Sequence, residues 1–271
     1  MTDFPPELPE LLLDQLARTP GVLVRVERTQ GSVPREAGTW MGVFADHVVG
    51  TIGGGHLEHE AIAQARRLLH DQSLPANAQR VALGPSLGQC CGGVVHLGFE
   101  RLAQGLPVPR ERLAMAPMPV ALFGGGHVGH ALARLLLTLP CTLTWVDSRE
   151  GIFPPGLPER VRCEHAEPVH DAVQDLPAGS QVLIMSFSHA EDLDVVAACL
   201  KRQRAHGDLP FIGLIGSQTK WASFRQRLLA QGFSEDELAQ VTCPIGVPGL
   251  QGKEPEVIAV AVAAQLLMRR A

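Results

Sequence analysis

The sequence predicts an α/β fold: an N-terminal α+β domain, then a Rossmann-type doubly wound parallel-sheet domain. Two observations in the second half carry this. An apolar run, residues 120–123, reads as a strand and leads into Gly124, Gly126 and Gly129 at G-x-G-x-x-G spacing, with an apolar helix pattern over 130–137. From there strand-like and helix-like stretches alternate, the pattern of a parallel sheet covered by helices. A third observation separates the halves. Residues 103–118 hold Pro107, Pro109 and Pro117 with mixed charges and read as a linker. The expected domains are 1–105 and 118–271, joined by a linker at 106–117.

The first domain opens with helix spacing over 8–17 and a β-branched strand over 21–27. Residues 31–41, GSVPREAGTWM, read as a loop that carries Ser32 and Arg35. A loop arginine can fork onto a phosphate or carboxylate, or can simply be solvated. A strand over 48–52 runs into Gly53, Gly54 and Gly55, and an amphipathic helix over 56–69 follows. Glu58 stands where a dinucleotide turn would need its third glycine. A single anion at the helix start remains open, and so does a plain helix-dipole role for Glu58.

Residues 81–83 form a short strand that opens into GPSLGQCCGG, and the strand pattern resumes over 94–99. Cys90 and Cys91 are adjacent and flanked by Gly88, Gly92 and Gly93. Neighbouring cysteines lack the spacing of a zinc site. Their side chains point opposite ways in extended chain. A thiolate there would serve as a nucleophile or as a soft ligand for a soft metal. The alternative is two small apolar fillers in a tight loop.

In the second domain, Gly124 would allow the tight turn, Gly126 close approach of a phosphate, and Gly129 packing of helix on strand. His127 lies in the same turn, where unpaired N–H groups at the helix start face an anion. The next strand, 143–146, ends at Asp147, the expected place for a carboxylate that meets ribose hydroxyls. Further elements follow as a helix over 167–176, a strand over 181–185, a helix over 194–202, a strand over 211–215 and a helix over 221–230. SFSHAEDLD and GSQTK lie at strand ends. The last helix, 256–268, is strongly apolar and suits either the core or a subunit interface, so a homodimer is expected.

Composition narrows the function. Hydrophobic residues make up 45% and charged residues 19%, enough apolar content for a packed core. The net charge of −5, with no basic stripe, argues against nucleic acid as a partner. The opening MTDFPPELPE has no apolar signal segment, and no apolar run reaches membrane-spanning length. The six cysteines, scattered except for one pair, fit free thiols in a reducing cytoplasm.

Seven stretches carry a family resemblance: GSVPREAG, GTIGGGHLE, LGPSLGQCCGG, ALFGGGHVGHAL, VDSREGIFP, FIGLIGSQTK and CPIGVPGLQGKEPEVIAVAVAAQLL. In their order, from Gly31 to Leu267, the chain resembles the XdhC/CoxI family of xanthine dehydrogenase accessory proteins. The resemblance implies an XdhC domain followed by a Rossmann domain. It also implies a chaperone, not an enzyme, that binds and protects the molybdenum cofactor (molybdopterin). Such a chaperone supports sulfuration by a cysteine desulfurase and delivers the cofactor to xanthine dehydrogenase. The expected cofactor contacts are Arg35, Gly53, Gly54, Gly55, Glu58, Gln89, Cys90, Cys91 and Gly92, with Cys90 and Cys91 toward the metal. Gly124, Gly126, His127, Gly129 and Asp147 are expected to hold a nucleotide or the cofactor phosphate. The competing expectation is an NAD(P)-dependent oxidoreductase that uses the same glycine turn and a loop cysteine.

Overall fold

The structure is a computed structural model that describes residues 7–84, 92–109, 112–113 and 117–269. It divides into two compact units, Pro6–Met115 and Ala116–Ala271.

The N-terminal unit is an antiparallel five-stranded sheet. Its strands are β1 (Gly21–Gln30), β2 (Trp40–Val43), β3 (Val48–Gly50), β4 (Gln79–Ala82) and β5 (Val94–Leu102), in the order β3-β2-β1-β5-β4. Alternation along β1 decides its two faces. Val22, Val24 and Val26 pack with Leu57, Ala61, Ala65 and Leu68 of α2 (Gly55–His70). Leu23 points the other way and packs with Leu12 and Leu16 of α1 (Leu8–Leu16). The sheet is therefore covered on both sides. Two sequence expectations shift here. Trp40 and Met41, read as loop, belong to β2, where Trp40 and Met41 pair with Arg25 and Val24 of β1. Strand β3 stops at Gly50 instead of reaching residue 52, so Thr51 and Ile52 separate it from the glycine run, and Gly55 is already the first residue of α2.

The C-terminal unit is a six-stranded parallel sheet. Its strands are β6 (Met118–Phe123), β7 (Cys141–Asp147), β8 (Val161–His165), β9 (Gln181–Ile184), β10 (Phe211–Leu214) and β11 (Val241–Thr242). The order β11-β10-β9-β6-β7-β8 reverses direction between β6 and β9. This is the 3-2-1-4-5-6 order of a Rossmann fold, and ligands of such folds lie at the carboxyl ends around that reversal. The central strands β6, β9 and β10 are buried on both faces, as continuous runs such as Val-Ala-Leu-Phe demand, while the edge strand β8 is largely exposed. One face carries α3 (His127–Leu136) and α7 (Pro255–Met268). The other carries α4 (His189–His206), α5 (Gln218–Ala230) and a 3-10 turn, Val169–Val173, where a helix over 167–176 is expected from sequence. The short α6 (Glu235–Leu238) precedes β11.

Helix starts explain the remaining differences. Helix α4 begins at His189, not at residue 194, because Ser188 caps it by accepting the Glu191 N–H. Helix α5 begins at Gln218 because Ser217 accepts the Lys220 N–H. SFSHAEDLD and GSQTK thus contain helix caps as well as strand ends. The apolar α7 is largely core: Ala259, Val262, Ala263 and Leu266 are buried, while Val260, Leu267 and Met268 remain exposed. Among the described residues, no helix is long and apolar enough to cross a membrane.

Candidate functional site

The glycine turn after β6 is tightly packed at both ends and open in the middle. Gly124 has φ +121°, and a Cβ there would collide with the Met185 carbonyl at the end of β9. A Cβ on Gly129 would collide with the Gly124 carbonyl, which also accepts the Trp145 indole N–H at 3.0 Å. Gly126, the N-cap of α3, has nothing within 4 Å of a built Cβ. His127 is the first residue of α3 and is exposed. The turn is thus closed at Gly124 and Gly129, which pack it against β9 and itself, and open at Gly126.

Asp147 departs from its expected role. It lies at the end of β7 beside the turn, but it is only 2% exposed. Its Oδ2 accepts the Gly125 N–H at 2.5 Å and Arg149 Nη2–H at 2.8 Å. Its Oδ1 accepts the Arg149 backbone N–H and Nε–H, each at 2.9 Å. A carboxylate offers about four acceptor positions, so these four donors occupy it. Burial pushes the Asp147 carboxyl up, but the Arg149 and Gly125 hydrogen bonds and the Arg149 charge outweigh it and hold it below its ordinary value. Asp147 fastens the turn to Arg149 and has no acceptor left for a ribose.

Arg149 in turn lies over the Phe187 ring, with Cζ 4.7 Å from the centroid. Phe187 follows β9 and is fixed through its backbone, whose N–H donates to Glu191 Oε2 at 3.1 Å. The other oxygen of Glu191 accepts the Ser148 hydroxyl at 2.7 Å. One residue earlier, the Ser186 N–H donates to buried Asp192 Oδ1 at 2.7 Å, and Asp192 Oδ2 pairs with Lys220 Nζ at 2.6 Å. His189, exposed at the start of α4, lies edge-on to Phe224. Sequence reasoning missed Arg149, Phe187 and Glu191. The available signals were the arginine two residues after the strand-end aspartate and the Ser-x-x-Glu spacing of residues 188–191.

In the N-terminal unit, Gly53, Gly54 and Gly55 all have positive φ, a path three successive side chains would resist. The turn encloses an anion of its own. Glu58 Oε2 accepts the Ile52 N–H at 2.9 Å, the Gly54 N–H at 3.1 Å and the Thr51 hydroxyl. Burial pushes the Glu58 carboxyl up, but these donors outweigh it and hold it below its ordinary value. Glu58 therefore takes the place at the helix start that the sequence left open for an external anion.

The motifs singled out in this unit meet. A Cβ on Gly53 would fall 2.6 Å from Pro34 Cβ and 3.3 Å from Arg35 Cγ. A Cβ on Gly93 would fall 2.5 Å from the Gln30 carbonyl oxygen and 2.8 Å from Val33 Cγ1. The arginine loop is thus wedged between the glycine turn and the Gly92–Gly93 flank. Arg35 is exposed, with no ion pair among the described residues. Gly54 and Gly92 have open space where a Cβ would be. Gln89, Cys90 and Cys91 lie outside the described residues. Among the described residues, no group of His, Cys, Asp and Glu could hold a metal ion.

These features define a class: a protein of two units, the second a Rossmann domain with an open glycine turn and a saturated strand-end aspartate. The chain belongs to the XdhC family, since the XdhC Rossmann domain matches residues 120–266 and the XdhC and CoxI family matches residues 15–75. A curated relative, uncharacterized protein YqeB of Escherichia coli (strain K12), is 25% identical over 251 residues, which are 92% of this chain and 43% of that protein. The chain thus spans less than half the length of that relative. A crystal structure described as a xanthine dehydrogenase from Bacillus halodurans is similar in fold, with a TM-score of 0.71 and 18% identity over 97% of this chain and 96% of that one.

Proposed function

We propose that this chain is an accessory protein that binds the molybdenum cofactor, protects it, supports its sulfuration and passes it to xanthine dehydrogenase. Family membership supports an accessory role. One observation carries the finer reading: the loop of Arg35, the turn of Gly53 and the Gly92–Gly93 flank of the cysteine pair pack together. An exposed arginine with no ion pair among the described residues suits a phosphate, and adjacent thiols suit a soft metal or an exchangeable sulfur. When bound, the cofactor supplies a molybdenum centre and a transferable sulfur. The chain's part is to hold the phosphate end at Arg35 and to offer Cys90 or Cys91, with Gln89 and Gly92 beside them, to the metal end. Glu58 is committed to its own turn, whose Gly53 packs against Pro34 and Arg35. The partners are xanthine dehydrogenase, a cysteine desulfurase and a second copy of the chain, in the cytoplasm.

The open Gly126 supports a second binding place, for a nucleotide or a cofactor phosphate, at the Rossmann turn. It equally supports an NAD(P)-dependent oxidoreductase, although the saturated Asp147 weighs against ordinary ribose recognition.

Purification from molybdenum-competent cells separates the readings. Molybdenum and pterin should accompany the parent chain and fall sharply in Arg35→Ala and in one of Cys90→Ala or Cys91→Ala. Unchanged loading in both cysteine variants and in the double variant would remove the cysteines from the site. Bound NAD(P) with substrate turnover, and no molybdenum, would favour the oxidoreductase.

A further inference from the structure

We infer that Phe187, backed by Arg149, is a stacking platform for the flat heterocycle of a phosphorylated ligand whose phosphate lies at the Gly126 turn. The inference rests on the reading that this turn binds a phosphate. Phe187 is 65% exposed, on the loop that leaves β9 at the sheet's reversal point. Exposed apolar residues are common, but this one is held in place. Its own N–H is tied to Glu191 and the preceding N–H to Asp192. Arg149 covers one side of the ring and is itself fixed by the four-donor arrangement around Asp147.

The platform also adjoins the turn. A Cβ on Gly124 would lie 3.1 Å from the Ser186 N, one residue before Phe187. The Ser186 hydroxyl is buried and without a hydrogen-bond partner among the described residues, a state native proteins usually relieve with water or a ligand. An aromatic ring accepts a heterocycle without reading its edges, so adenine and a pterin share this chemistry. With Asp147 saturated, stacking on Phe187 takes over the orienting role that ribose hydrogen bonds have elsewhere.

The test is calorimetric titration of the full chain with ADP and, separately, with neopterin monophosphate. At least one probe should bind the parent, and which one binds identifies the source of the heterocycle. Phe187→Ala should weaken that probe by about tenfold or more. Phe187→Trp should retain binding, with tryptophan fluorescence quenched by the stacked ring. Gly126→Val should abolish binding. If the parent binds neither probe, the phosphate-turn reading falls and this inference with it. If the parent binds, Gly126→Val does not, and Phe187→Ala binds as the parent does with an unchanged melting temperature, only the stacking platform is refuted.

Discussion

Arg149 encloses the carboxylate of Asp147 with its backbone N–H and two guanidinium nitrogens, and the fourth donor to that carboxylate is Gly125 of the glycine turn. The residue that a dinucleotide site uses to read ribose is here a structural rivet between β6, β7 and the arginine over Phe187. Removing the arginine leaves a buried charge with a single backbone donor in addition to the residue-149 N–H. Arg149→Ala should therefore destabilise the chain by about 2–3 kcal/mol, read from urea midpoints at neutral pH.

The same pair has a pH signature. The folded Asp147 carboxyl titrates below its ordinary value. Its contribution is therefore complete above the unfolded value, about pH 4, and is lost as pH falls through the lower folded value. The stability gap between the parent and Arg149→Ala should narrow below about pH 4. A gap constant from pH 7 to pH 3 would contradict the assignment.

Glycines of one turn should separate cleanly. Gly124→Ala forces a side chain at φ +121° against the Met185 carbonyl, and a loss of several kcal/mol is expected, about 3 or more. Gly126→Ala meets nothing within 4 Å, at an ordinary φ of −76°, and should melt like the parent while binding phosphate probes less well. Equal melting temperatures for the two variants would refute this division of roles.

Glu58 is expected to hold its glycine turn through its charge. Glu58→Gln keeps the size but weakens the charge-assisted bonds, at a cost of about 1–2 kcal/mol. Amide exchange should accelerate at Ile52 and Gly54, whose N–H groups Glu58 accepts. Unchanged protection at both amides would show that the turn stands without it.

Exposed Val260 and Leu267 lie seven residues apart on α7, so they share a face, and Met268 adjoins them. A homodimer through this face predicts a dimer in sedimentation at micromolar concentration and a monomer for Val260→Glu with Leu267→Glu. A parent that sediments only as a monomer would refute the dimer.

The fold of the C-terminal unit was legible where pattern alone decides. The run 120–123, the glycine spacing and the strand–helix alternation locate β6, α3 and the parallel sheet. Strand β8 escaped because VRCEH alternates charge with apolar residues at a sheet edge and is only partly buried. Trp40 and Met41 escaped because the glycines and proline before them suggested a longer loop. The site was legible as a set of loops but not as a network. That Asp147 would be consumed by Arg149, and Glu58 by its own turn, depends on short-range side-chain geometry that spacing does not encode. Nor does spacing bring Arg35 to Gly53, because that contact depends on how the loop after β1 folds against the turn after β3.

Transfer tests the central claim most directly. The chain, loaded with molybdenum cofactor, is mixed with cofactor-free xanthine dehydrogenase, the two are separated by size, and molybdenum and xanthine oxidation are measured in each fraction. The account predicts that molybdenum leaves this chain, appears in the enzyme and restores its activity, and that a Cys90→Ala, Cys91→Ala double variant delivers little. A parent chain that takes up no cofactor, or that keeps it while the enzyme stays inactive, would contradict an accessory role in cofactor delivery.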